Sequence, residues 1–327
     1  MFMKNMTLVA TSLISGLCGT ASAQELRPDA VNRASIASIP SERPSDAPTQ
    51  PDPAIVHLQV LLDRAGSSPG VIDGYYGENV AKAIAGFEAM QGLPADGKLD
   101  PEVIGRLADE RPPIQPYVIS EGDAKDLVDR IPEDYAEQAK MKHLGYTSVP
   151  EKLSERFHMD IDLLKALNSG SAFAVGDTIS VAAPGVAKEG TVKLIEARKG
   201  AGQVLAFADN GTLLAAYPAT IGSKETPSPS GTHKVKGVAR MPTYTYNPEV
   251  NYQQGDNTEV LTLPSGPNGP VGTVWIDLSK PTYGIHGTPE PSRVDKDPSH
   301  GCIRLANWDA EELAAMVKPG IVVEITE

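Results

Sequence analysis

From residue 54 onward apolar positions recur at helical spacing. Ile55, Leu58 and Leu62 share one face, and Val80, Ala83, Ile84 and Phe87 share another, the i, i+3, i+4, i+7 pattern of amphipathic helices. Ile72-Asp73-Gly74-Tyr75-Tyr76-Gly77 reads as the turn between them, with Asn79 as cap of the second helix. Gly92-Leu93 and Asp96-Gly97 end that helix and lead to a short third one over 101–107, so residues 54–110 are predicted to form a small helical bundle. Before it, residues 24–53 are rich in Pro, Ser, Asp and Ala and are expected to be a flexible linker, because such a composition buries too little apolar area to fold.

After Arg111-Pro112-Pro113 the pattern becomes mixed. Tyr117-Val118-Ile119 reads as a strand, Leu153–157 and Leu163–167 as two helices, and Thr178-Ile179-Ser180-Val181 as a closing strand, so 116–185 is a predicted α/β module with a long polar insertion after Asp123. From Thr191 the texture is β. Short runs at 192–197, 203–208 and 212–220 are separated by turn signals, and Asp209-Asn210-Gly211 is expected to supply the two positive-φ positions of a tight hairpin. One helix is expected near the end, over 308–317 with Asn307 as its cap. The fold class is therefore multidomain α+β, closing with a mainly β, sandwich-like domain over 190–327.

The composition of the 327 residues, 40% hydrophobic and 22% charged, allows several buried cores. A net charge of -13 removes any general attraction to nucleic acid or an anionic bilayer. Lys4 followed by the apolar stretch from Leu8 to Leu17 and by Ala21-Ser22-Ala23 reads as a signal peptide over 1–23, too short to span a membrane, so the mature chain is expected in the periplasm with no transmembrane segment. A lipid anchor on Cys18 is the alternative, although Leu17 occupies the place where a small residue is wanted. With Cys18 removed, Cys302 has no partner within the chain and is a buried small hydrophobe, an intermolecular disulfide or a reactive thiol.

Chemistry concentrates in Tyr283-Gly284-Ile285-His286-Gly287-Thr288 and Ser299-His300-Gly301-Cys302-Ile303-Arg304-Leu305. Acyl transfer from an amide needs a nucleophile, a base and oxyanion donors. A thiol of ordinary pKa near about 8.5 is mostly protonated at neutral pH, and an imidazole near about 6.5 can take its proton. A histidine at a strand end, with the cysteine returning after a loop, can bring the two within reach. His286 and His300 do not suffice for zinc, since neither an HExxH nor a paired CxxC spacing is present; no metal and no other cofactor is expected.

These two stretches resemble the signature of the L,D-transpeptidase catalytic domain, also called the YkuD domain, and the proline- and glycine-rich runs at 227–231 and 266–272 fit it. The resemblance implies Cys302 as nucleophile, His286 as base oriented by the carbonyl of Gly287, and the N–H groups of Gly301 and Cys302 as oxyanion donors. It places Arg304, His300, Ser299 and Tyr283 at the substrate; His300 is the alternative base, and a structural ion pair is the alternative for Arg304. Tyr244, Tyr246 and Tyr252 fall where the family has a substrate-covering lid, or are ordinary packing aromatics. The implied partners are peptidoglycan stem peptides and glycan, with another stem, an outer-membrane protein or lipoprotein, or water as acyl acceptor. Water would make a carboxypeptidase, and a non-catalytic wall-binding scaffold is the reading from a different class.

Leu58-Gln59, Asp73-Gly74, Gly92-Leu93 and Asp96-Gly97 resemble a small peptidoglycan-binding domain, with Glu88 where that family has glutamine. Residues 116–185 resemble a LysM module broken by the insertion. Both modules are expected to anchor the enzyme to the wall without supplying chemistry.

Overall fold

The computed structural model describes residues 26–42 and 49–327, so the expected signal peptide and Cys18 lie outside the described residues. Helices α1 (Pro28–Arg33), α2 (Pro53–Ala65), α3 (Glu78–Met90) and α4 (Pro101–Leu107) come first. Strand β1 (Ile114–Val118), helices α5 (Tyr135–Gln138), α6 (Val149–Arg156) and α7 (Ile161–Leu167), and strand β2 (Thr178–Ala182) follow.

Ile55, Leu58, Leu62, Val80, Ala83, Ile84 and Phe87 form one core, as their spacing predicts. Helix α2 also turns Val56 and Val60 into the core of the next module, so it is apolar on two sides. Asp52 and Asp100 cap α2 and α4 by accepting from backbone N–H groups, whereas Gly77 stands at the cap position of α3 and Asn79 does not cap it. Gln59 is spent on the Asp73-Gly74 turn: its Oε1 accepts from Asp73 N and Gly74 N at 3.1 and 2.8 Å, and its Nε2 donates to Asp73 Oδ1 at 2.7 Å. Glu88 holds the next turn, accepting from Gly97 N at 2.8 Å.

The stretch expected to be a flexible linker is not one where it is described. Val31 of α1 is fully buried with Ile114, Phe157 and Val181, and Ile36 and Ile39 enter the helical core. Three apolar residues placed on two neighbouring cores outweigh a linker-like composition. In the second module β1 pairs antiparallel with β2, and α5, α6 and α7 lie between them in sequence, α5 within the insertion after Asp123.

The remaining strands are β3 (Leu194–Arg198), β4 (Gln203–Phe207), β5 (Leu213–Pro218), β6 (Thr220–Ile221), β7 (Gly231–Arg240), β8 (Tyr244–Tyr246), β9 (Leu261–Leu263), β10 (Val274–Leu278), β11 (Gly284–His286), β12 (Ile303–Arg304) and β13 (Val322–Thr326), with α8 at Asn307–Met316. Nine of them form one mixed sheet ordered β5-β4-β3-β13-β7-β10-β11-β12-β6. Strand β7 joins its halves, pairing with β13 along 231–234 and with β10 along 235–240. Val204, Ala215 and Tyr217 from one half meet Val274, Ile276, Ile285 and Ile303 from the other in a single core with Leu313 of α8, a sandwich-like arrangement. In the β4–β5 hairpin only Gly211 takes a positive φ; Asn210 does not, and the loop is longer than the two-residue turn expected.

The sheet edge at β5 is covered. Helix α3 packs on it, Ser68 N donates to Ala216 O at 2.8 Å, and Ala216 N donates to Gly66 O at 3.0 Å.

Candidate active site

Strand β11 pairs antiparallel with β10, setting Trp275 opposite His286, and parallel with β12, setting Ile285 level with Ile303 and His286 level with Arg304. Ile285 and Ile303 point into the core. Because side chains alternate along a strand, His286, Cys302 and Arg304 then share the other face.

His286 is buried, and its Nδ1 lies 2.7 Å from the carbonyl oxygen of Gly287. A carbonyl only accepts, so Nδ1 carries the proton and Nε2 is left as the base. The Trp275 ring stacks on the imidazole, centroids 5.6 Å apart. Burial, with a smaller contribution from the Arg304 charge, pushes the His286 pKa down to about 4, so it is neutral at physiological pH.

Cys302 is half-buried, and among the described residues it is the free cysteine. Its thiol donates to the carbonyl of Thr282 at 3.6 Å. Burial raises its pKa, while the Gly284 N–H and the Arg304 guanidinium pull it back. At rest the thiol is protonated and the imidazole neutral, on one face of neighbouring strands. Thr282 is held at φ 69°, a conformation that a β-branched residue adopts only under constraint, with its carbonyl on the sulfur.

The turn before the nucleophile is locked from below. Ser299 is buried; its Oγ donates to Cys302 O at 2.6 Å and accepts from Gly222 N at 2.9 Å. It was expected at the substrate, and the structure instead spends its hydroxyl on the turn. Ser228 Oγ donates to Gly301 O at 2.6 Å, which gives the run at 227–231 its role. Gly301 sits at φ 105° with the Tyr283 ring 3.0 Å from where a Cβ would stand, so glycine is required and Tyr283 flanks the motif.

Asn307 does not cap α8; that place falls to Ala306. Its Oδ1 accepts from Thr273 N and Thr288 N at 3.1 Å each, and a Cβ on Gly287 would stand 2.1 Å from that oxygen. Its Nδ2 donates to Glu155 Oε2 of α6 at 2.9 Å. Burial raises Glu155 to about 8. The backbone that follows the histidine is therefore held from the second module. A further tie is the ion pair of Lys82 on α3 with Asp295, in the loop between histidine and cysteine.

Arg304 makes no ion pair among the described residues; its Nη2 lies 3.5 Å from Pro298 O. His300 is exposed and lies flat on Tyr252, ring centroids 3.9 Å apart, on the cleft rim. A cavity of about 550 Å³, lined by Tyr244, Asn247, Val250, Trp275 and Thr282 among others, adjoins the site through Trp275, which stacks on His286, and Thr282, whose carbonyl takes the Cys302 thiol. No group of His, Cys, Asp and Glu among the described residues is placed to hold a metal.

The structure thus gathers His286, Cys302, Arg304, Gly287, Gly301 and Tyr283, sets His300 on the rim and turns Ser299 inward. Sequence reasoning missed Trp275, Thr282, the Gly284 amide, and Asn307 with Glu155. Only Trp275 left a signal, as the aromatic of an alternating strand.

Comparison with known proteins places the chain in a family. Residues 193–325 match the profile of the "L,D-transpeptidase catalytic domain", and residues 51–107 that of the "Putative peptidoglycan binding domain". The "Putative L,D-transpeptidase YkuD" of Bacillus licheniformis is 34% identical over 160 residues, covering 49% of this chain and 80% of that protein. Its Bacillus subtilis counterpart is 31% identical over 146 residues, covering 45% and 74%. The chain belongs to the L,D-transpeptidase family. Among solved structures, the ertapenem-acylated catalytic domain of the Enterococcus faecium L,D-transpeptidase matches 42% of this chain and 98% of that one at 21% identity, with a TM-score of 0.33. As an L,D-transpeptidase the chain is an acyltransferase with a peptidoglycan-binding module ahead of its catalytic domain.

Proposed function

We propose that the chain is exported to the periplasm and acts on tetrapeptide stems of peptidoglycan through a thioester on Cys302. What carries this reading is the His286 tautomer: Nδ1 is tied to Gly287 O, which frees Nε2 on the face that Cys302 shares. As sulfur attacks the carbonyl between the third residue and the terminal D-alanine, Nε2 takes the thiol proton. The N–H groups of Gly301 and Cys302 hold the oxyanion. The C–N bond then breaks, and the imidazolium returns the proton to the departing amine, leaving the thioester. An incoming amine reverses these steps and regenerates the thiol. Arg304, without a carboxylate of its own in ion-pair reach among the described residues, binds a carboxylate of the stem.

The acceptor is the amine of a second stem, giving a 3→3 cross-link, or that of an outer-membrane protein or lipoprotein. The second module is read as LysM-like and glycan-binding, on the support of its paired strands β1 and β2 with α6 and α7 between them, α5 belonging to the insertion. Incubating the protein with purified muropeptides and weighing the products tests the reading. Cross-linked dimers and free D-alanine support it; no turnover with the folded, reduced protein returns the scaffold reading.

A further inference from the structure

The insertion between Asp123 and α6 takes no part in the chemistry described so far. Yet Tyr135 and Leu144, with half-buried Ile131 and Met141, form one apolar cluster with Tyr246 and Leu263 of the β8–β9 hairpin. Leu144 is the crossing point: its N–H donates to Ser265 O at 2.9 Å and its carbonyl accepts from Asn268 N at 3.0 Å. Tyr135 sits against the hairpin and the loop after β8. Its ring meets Tyr246 edge-on at 5.3 Å and Tyr244 at 6.3 Å. Its N–H donates to Gln254 Oε1 at 3.1 Å, and Gln254 Nε2 donates back to Glu133 O at 2.8 Å. Its hydroxyl hydrogen-bonds that of Tyr252, whose ring lies on His300, two residues before the nucleophile, with planes 14° apart. Contact therefore runs unbroken from the second module to the motif that carries Cys302.

We propose that Tyr135 is a positioning residue for acyl transfer: through Tyr252 it holds the aromatic side of the cleft over the Cys302 thioester, so that an amine and not water reaches the acyl carbon. This rests on the thioester reading above. In transfer, the amine nitrogen bonds the acyl carbon, the C–S bond breaks, and the amine proton passes through His286 to sulfur. In hydrolysis, water oxygen takes the place of nitrogen and the proton follows the same route. The two fates share every catalytic group and differ in the nucleophile admitted, which makes the wall of the cleft the deciding element. Tyrosines suit such a wall, since each offers a large rigid apolar face at small entropic cost and a hydroxyl that registers it. Burial pushes the phenols of Tyr135 and Tyr252 upward, so both stay neutral donors and acceptors.

The test uses the full chain with a tetrapeptide stem as donor and an amine acceptor, reading the ratio of transferred to hydrolysed product by mass. Tyr135→Phe and Tyr252→Phe each delete the hydroxyl pair and keep the rings; Tyr252→Leu also removes the stack on His300. Each Phe variant is expected to lower the ratio severalfold, the double variant no further because one bond is shared, and Tyr252→Leu the most. Adduct formation on Cys302 by ertapenem should proceed in Tyr135→Phe as in the wild type. An unchanged ratio in folded Phe variants overturns the role of Tyr135, whether or not Tyr252→Leu folds, and so does a wild type that yields hydrolysed product alone. A wild type that takes no adduct overturns the thioester reading itself.

Discussion

Glu155 and Asn307 meet at 2.9 Å across the boundary between the second module and the catalytic sheet, and the other end of the Asn307 amide holds the backbone N–H of Thr288, two residues after the base. The carboxyl is protonated at neutral pH in the fold and ionised in the unfolded chain, because burial raises it to about 8 from an ordinary 4.5. Stability from this group is full below pH 4.5 and is lost as pH rises toward 8, since the unfolded state then binds fewer protons. Glu155→Gln should flatten that decline and unfold at higher temperature than the wild type at pH 8. Parallel thermal profiles of the two proteins across pH 5–8 would refute the assignment.

His286 carries the opposite sign. Its folded pKa is depressed to about 4, so its contribution is present above about 6.5 and is lost as pH falls toward 4, on the order of a few kcal/mol. Acylation should hold its rate down to about pH 5, well below where an exposed imidazole would charge. His286→Ala should lower turnover by about 10²- to 10⁴-fold, and His300→Ala should do less. A reversal of the two effects in folded protein assigns the base to His300.

The nucleophile is testable by mass. Ertapenem should add once to the wild type, not at all to Cys302→Ala and slowly to His286→Ala. Because burial raises the Cys302 pKa, its alkylation by a small reagent should still be climbing at pH 9. A reactivity plateau near neutral pH would mean a preformed thiolate and sink the neutral dyad.

Ser299→Ala separates a turn lock from a substrate contact. Losing the bonds to Cys302 O and Gly222 N should cost about 1–3 kcal/mol, seen as a lower unfolding midpoint, and should reduce kcat. A rise in KM with kcat and midpoint intact would return Ser299 to the substrate.

The fragment 190–327 should turn over soluble muropeptides far more slowly than the full chain, contrary to the expectation that the leading modules only anchor. It loses Glu155, Tyr135 and Lys82 together. Equal turnover would confine those contacts to stability.

Much of this was legible in the residues. The period of 3.6 located Leu58, Leu62, Ile84 and Phe87 in one core because that pattern is local, and the runs around His286 and Cys302 pointed to the neighbouring strands that carry them. Ser299 was misplaced because its neighbours are catalytic while its partner Gly222 is far back in the chain. The stretch after Asp123 read only as a long polar insertion because Tyr135 gains meaning only beside Tyr252. Residues 28–39 read as linker because three apolar side chains among small and polar residues carry no period, although two cores need them.

The burial of Val31 with Ile114 and Val181 has a consequence for the order of folding. Asn32 and Ile114 exchange hydrogen bonds across a separation of 82 residues, with α2, α3 and α4 lying between. Helix α2 can complete the helical core with residues from 34–107 alone, whereas the core that takes Val31, Val56 and Val60 needs residues from 114–182. The second core is therefore built from contacts of long sequence separation, and it closes only when β2 pairs with β1.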